Sequence, residues 1–174
     1  MIYPSTFPYP DDPKRNAEKK VYEALKKIPD SNGFDIYYNK IIYNDANPGH
    51  LVDGEADFIV FHSELGFIVV EVKGGIISYD AEKDQWFTKT LKSQTMYKIK
   101  NPYLQAVSNK YSILKKFKEL WPKGSEPKIN AKRMIVFPDV SFPESFLGIG
   151  FPDQFLVCGD AIDKIEGHIS RIFL

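Results

Sequence analysis

The stretch GEADFIVFHSELGFIVVEVKGG (residues 54–75) decides how the chain folds. Two apolar segments, DFIVF (57–61) and GFIVVEV (66–72), are separated by a few polar residues and a glycine, which predicts two strands joined as a hairpin. The second segment does not end as a core strand should, because Glu71, Val72 and Lys73 are followed by Gly74 and Gly75. Side chains alternate along a strand, so Phe67, Val69, Glu71 and Lys73 project to one face and Ile68, Val70 and Val72 to the other. A three-residue turn at Ser63, Glu64 and Leu65 sets Asp57 opposite Glu71 on the same side of the sheet. A bulge with Gly66 in a left-handed conformation would shift that register by one. Directly opposed carboxylates repel by about 0.2–1 kcal/mol and call for a compensating cation. Lys73 supplies one charge; a divalent ion would supply two, and hard oxygen ligands suit Mg2+ or Mn2+ rather than zinc. Taken alone, the EVK triplet also describes an ordinary ion pair at a sheet edge.

Outward from the hairpin, NAEKKVYEALKKI (16–28) repeats Ala17, Val21, Ala24 and Ile28 at helical spacing, with Leu25 beside them, Asn16 as N-cap and Pro29 and Gly33 as stops. FDIYYNKIIY (34–43) is β-branched and aromatic and predicts a strand. IISYD (76–80) and QWFTKT (85–90) suggest a further hairpin. Asn101 before Pro102 marks a helix start, and Leu104, Val107, Tyr111, Leu114 and Trp121 are expected to face the core through about residue 121. RMIVF (133–137) and QFLVC (154–158) read as short buried strands, and AIDKIEGHISRIF as a closing helix. The expected class is α/β (α+β), with an αβββαβ core whose mixed central sheet is flanked by helices. The expected organisation is one domain over residues 1–174 with its core at about 15–158. The apolar end RIFL, without a polar tail, suits a piece of a longer protein.

At 174 residues, with 43% hydrophobic and 14% aromatic side chains, the chain can bury a sizeable core. No apolar run is long enough for a membrane span, and MIYPSTFPYPDD lacks the basic start and apolar stretch of a secretory signal, so a cytoplasmic protein is expected. The lone Cys158 can form no internal disulfide or cysteine-rich zinc site. His50, His62 and His168 are scattered without metal-binding spacing, and no GxxxxGK[ST] phosphate loop occurs. The net charge of zero hides a segregation. Residues 1–82 hold 8 basic and 14 acidic side chains, residues 83–133 hold 13 and 3, and residues 134–174 hold 2 and 6. In the basic middle third, lysines such as Lys115 and Lys116 are interleaved with Trp86, Tyr97, Tyr103, Tyr111 and Trp121. That mixture can neutralise phosphates and stack bases, although a solvated helix face would carry the same charges.

The hairpin with its Asp57 and Glu71-x-Lys73, the preceding amphipathic helix and the later NPYLQ together resemble the PD-(D/E)XK nuclease superfamily, and more closely its nuclease-related domain (NERD) family, over roughly residues 15–121. The resemblance implies a restriction-endonuclease-like fold and divalent-metal-dependent hydrolysis of nucleic acid, DNA rather than RNA. It implies that Asp57, Glu71 and the carbonyl of Val72 ligate the metal, and that Lys73 positions or activates the attacking water. Gln105 matches the glutamine on the helix after the hairpin, and Glu18 the first-helix glutamate. The family pattern places glycine before that glutamate where this chain has Ala17, and Glu23 is the competing candidate. Glu18 lies three and seven residues before Val21 and Leu25, close to the apolar stripe, whereas Glu23 sits across the helix between Lys19 and Lys27, so Glu18 is the expected inward group. Glu55 and Asp53 could enlarge the acidic cluster, with loop solvation the favoured role for Asp53. A catalytically weak nucleic-acid-binding or docking module, accompanying a helicase or kinase segment, is the alternative expectation.

Overall fold

A computed structural model describes residues 1–43, 52–90, 92–141 and 153–174. Asp53 belongs to a described strand, but its side chain lies outside the described residues.

Six strands form the main sheet in the order β1 (Ile2–Tyr3), β2 (Phe34–Tyr43), β3 (Val52–His62), β4 (Gly66–Val72), β8 (Ala131–Phe137) and β9 (Leu156–Cys158). β2, β3 and β4 are antiparallel neighbours, while β8 and β9 run parallel to β4, so the sheet is mixed. A second sheet of β5 (Ile76–Asp80), β6 (Gln85–Lys89) and β7 (Met96–Ile99) is inserted after β4. The β5–β6 hairpin was legible; β7 was not, because Met96, Tyr97 and Lys98 are exposed and show no apolar alternation. Among the described residues no helix is long and apolar enough to cross a membrane.

Helix α1 (Asn16–Lys26) lies on one face of the main sheet. Its Val21, Tyr22, Ala24 and Leu25 pack with Tyr38, Phe58, Ile68, Val70 and Val72, and with Ile165 and Ile169 of α3 (Ile165–Phe173). The N-cap expectation is corrected by one residue: Asn16 is the first helical residue, Arg15 before it makes no side-chain cap, and Asp12 instead caps the preceding 3-10 turn by accepting the Lys14 N–H at 2.9 Å.

Helix α2 (Pro102–Lys118) covers the other face, beginning at Asn101, whose side chain accepts the N–H groups of Tyr103 and Leu104. Its buried side is Tyr103, Ala106, Asn109 and Ile113, not the expected Leu104, Tyr111 and Trp121, which are exposed; Val107 and Leu114 are intermediate. The helix carries two apolar stripes. Close approach to the sheet selects the one with small Ala106 at its centre, and the bulkier stripe is left outside.

The expected register holds. His62 pairs with Gly66 and Phe58 with Val70, with no bulge between them, although Gly66 has φ 101°.

Candidate active site

Strands β2 and β3 roll over together where Asn39 adopts φ 51° opposite Asp57. Before this point Ile36 and Tyr38 face α1, as do Phe58 and Val60 beyond it on β3; past it Ile42 and Ala56, which should face the same way by alternation, face α2 instead. The β3–β4 ladder ends at Phe58 and Val70, and the next free strand donor, the Val72 N–H, is taken by the Asp57 carboxylate at 2.7 Å. Asp57 thus sits beside β4 at the place where the backbone parts from it.

Glu71 is directed to the α2 side and is almost fully buried. One oxygen, Oε1, meets the Lys73 Nζ at 2.7 Å; the other, Oε2, is buried with no hydrogen-bond partner among the described residues. The sheet-edge ion pair is therefore an enclosed one, corrected by the burial of Glu71. Burial, followed by the charge of Glu71, pushes the Asp57 carboxyl up to about 8, against the Val72 hydrogen bond that lowers it. Burial likewise raises Glu71, with Lys73 opposing.

A cavity of about 430 Å³ opens over these groups, lined by Asp57, Glu71, Lys73, Glu55 and Gln105 among others. Gln105 also brings a buried oxygen, Oε1, with no hydrogen-bond partner among the described residues. Asn109 reaches across from α2 to donate to the Glu55 carbonyl at 2.8 Å, and its side chain occupies the space that a Cβ at Gly54 would need. Glu55 is exposed at this rim. Arg15, Lys100, Ser108 and Asn109 complete the wall and were not singled out in the sequence; only the i, i+3 spacing of Arg15 and Glu18 signalled any of them.

Of the first-helix acids, Glu18 is the inward one and Glu23 is exposed. Arg15 holds both Glu18 oxygens at 2.9 Å, and the Tyr38 hydroxyl donates to Oε2. Glu18 stands near enough to raise both Asp57 and Glu71, yet its own bonding is met by Arg15 and Tyr38. Lys115 and Lys116 are not brought to this cavity; they lie toward the far end of α2, and the cations at the cavity are Arg15, Lys73 and Lys100.

The two glycines after the triplet have separate reasons. A Cβ on Gly74 would stand 2.8 Å from the Ala17 Cβ, so Gly74 and the small Ala17 together let α1 approach the site. Gly75 has φ 84°, and a Cβ there would meet Thr88 Oγ1 at 2.5 Å and the Lys89 carbonyl at 2.6 Å. Asp139 locks the pair by accepting the Gly75 N–H at 2.8 Å while bound to Lys20 of α1.

No group of three or more His, Cys, Asp or Glu side chains among the described residues could hold a metal unaided. The oxygen set nevertheless fits a hard divalent cation: burial and repulsion among the carboxylates disfavour the ionised forms of Asp57 and Glu71, an effect that a cation would oppose, and Glu71 Oε2 has no hydrogen-bond partner among the described residues. Cys158 is buried and its thiol is pushed up to about 12 by burial, which leaves it inert as a nucleophile.

The model of one protein family, the nuclease-related domain, matches residues 13–138. That span runs from the turn before α1 to the end of β8 and includes every residue that lines the cavity. No curated protein and no solved structure matches the chain.

Proposed function

Since the chain belongs to the nuclease-related domain (NERD) family, we propose that it hydrolyses phosphodiester bonds of nucleic acid, DNA in preference to RNA, at Asp57, Glu71 and Lys73 with Mg2+ or Mn2+. The observation that carries this reading is the Glu71 carboxylate, buried beside a second carboxylate with one oxygen unpaired. A buried acceptor of that kind costs roughly 1–3 kcal/mol, a cost that a ligand at the cavity would offset. Asp57, Glu71 and the Val72 carbonyl would hold the ion, which when bound polarises the phosphate and lowers the pKa of an attacking water.

The chain's own groups do the rest. Lys73, fixed by Glu71 and only 23% exposed, offers an ammonium whose charge opposes the negative charge that grows on the phosphate oxygens. The Asp57 hydrogen bond to Val72 sets that carboxylate's orientation before anything binds. Gln105 lines the cavity and carries a buried oxygen with no hydrogen-bond partner among the described residues, so a small side-chain rotation would offer an acceptor to a water or a sugar hydroxyl. Glu18 acts through others, holding Arg15 at the rim, where Arg15 and Lys100 attract the phosphates on either side of the scissile bond.

Cleavage of a plasmid and of a linear duplex in Mg2+ and in Mn2+, with Asp57→Ala and Lys73→Ala prepared in parallel, tests the reading. Cleavage by wild type alone supports it, and equal cleavage by all three preparations sinks it. The closed Lys73–Glu71 pair supports a second reading, a nucleic-acid-binding module that serves a helicase or kinase segment. Binding without cleavage in either metal would establish that one instead.

A further inference from the structure

The outer face of α2 is more than a solvated surface. Leu104, Ser108, Tyr111, Lys115 and Lys118 recur at spacings of four, three, four and three residues, which aligns them along one side of the helix; each is exposed. Ser108 also lines the carboxylate cavity. Tyr111 and Lys115 line a second cavity of about 530 Å³ together with Leu114, Lys118, Trp121 and Lys123. The stripe therefore joins the two, and at 1.5 Å per residue Ser108 and Lys118 are about 15 Å apart.

The second cavity is both aromatic and cationic. Tyr111 is 59% exposed, with the Lys110 ammonium 4.4 Å from its ring centroid, and Trp121 is 39% exposed just beyond the helix. Its two acids are engaged locally: Glu119 faces Lys116 at 3.6 Å, and the Glu126 carboxylate accepts the Gly124 N–H at 2.7 Å. Lys115, Lys118 and Lys123 have no carboxylate partner among the described residues.

We propose that a single strand of polynucleotide leaves the carboxylate cavity past Ser108 and follows the outer face of α2. Its bases stack on Tyr111 and Trp121, and its phosphates meet Lys115, Lys118 and Lys123. This rests on nucleic acid being the ligand of the carboxylate site. A duplex keeps its base faces stacked internally and has no use for exposed rings, whereas an unpaired base offers a π-face to each. The surplus of lysines complements a phosphate chain, and the path is continuous with the site it would feed.

The two tryptophans make the test direct, because Trp86 is buried and Trp121 is exposed. Wild-type protein in EDTA is titrated with a short oligodeoxyuridylate, an oligouridylate of equal length and a duplex of equal length, and tryptophan emission and the anisotropy of labelled strands are followed. Quenching by the single strands is expected, and Trp121→Phe should abolish it while Trp86 still emits. Tyr111→Ala and Trp121→Ala should each weaken single-strand binding about tenfold. The two single strands together decide whether deoxyribose or ribose is preferred. Unquenched emission, duplex binding as tight as single-strand binding, or undiminished affinity of both alanine variants overturns the proposal; absence of any binding does so too and leaves the stripe to a protein. Cleavage by wild type in Mg2+ with no role for Tyr111 or Trp121 would keep the nuclease reading and remove the strand path. Quenching without cleavage would do the reverse.

Discussion

At its N-terminal end helix α2 turns Gln105 and Asn109 toward a cavity at whose floor Asp57 and Glu71 crowd one lysine; in its second half it holds Tyr111, Lys115 and Lys118 out in water. In the first region burial opposes the charges of Asp57 and Glu71, and both are shifted toward their neutral forms. In the second, the lysines are solvated and salt screens them. An enclosed charge without full compensation persists against a continuing cost, so it points to function more strongly than an exposed one does. Substitutions inside the cavity should accordingly have large and specific effects, and substitutions on the stripe small effects on the fold with gradual effects on binding.

The largest expected effect is on cleavage. Asp57→Asn keeps the acceptor for the Val72 N–H but removes the charge, and should lower the rate by about 10² to 10³ with the fold intact. Single-turnover assays with circular dichroism as the folding control would show it, and full activity in a folded variant would erase the distinction between the two regions.

Next in size is the cost of breaking the enclosed pair. Lys73→Ala leaves Glu71 buried without its cation and should destabilise the protein by about 1–3 kcal/mol in urea unfolding, more than an exposed pair could cost. A loss within error would mean that Glu71 is solvated in solution.

The pH dependence comes third. The folded Asp57 carboxyl is raised to about 8 from 3.8, so the folded protein holds a proton that the unfolded chain releases. The stability linked to this group is fully present below about pH 4 and is lost as pH rises through about 8. Between those limits metal-free wild type should lose at least about 1 kcal/mol relative to Asp57→Asn, and the two should converge in acid. Parallel slopes from pH 5 to 8 would contradict the raised carboxyl. Because the ion competes with that proton, millimolar Mn2+ should raise the Tm more at pH 8 than at pH 6, and should not raise that of Asp57→Asn.

The smallest effect on stability belongs to the stripe. Charge reversal at Lys115 should leave the Tm unchanged while reducing the salt dependence of oligonucleotide binding by roughly one unit of slope. A large drop in Tm would show that the residue is structural.

Much of this was readable in one dimension. Alternation in GFIVVEVKGG and the length of the turn after His62 were enough for the register that puts Asp57 beside Glu71, because strand pairing across a short turn is a local matter. The α1 stripe and the inward choice of Glu18 over Glu23 also followed from spacing alone. Other features depend on groups distant in the chain. That Glu18 is held by Arg15 and Tyr38, that Lys100 reaches the cavity, and that Gly74 must be small because Ala17 lies against it are outcomes of packing between elements.

Periodicity and turn signals thus determined the αβββαβ order and the hairpin register that brings Asp57 beside Glu71 and Lys73, because each follows from side-chain alternation and local turns; the resemblance to a known family, not the pattern, singled those three residues out. Only the tertiary structure decided which stripe of α2 is buried. Both stripes satisfy helical periodicity, and the choice fell to the one with the small Ala106 at its centre, which lets the helix approach the sheet and sent Tyr111 and Trp121 outward beside the lysines.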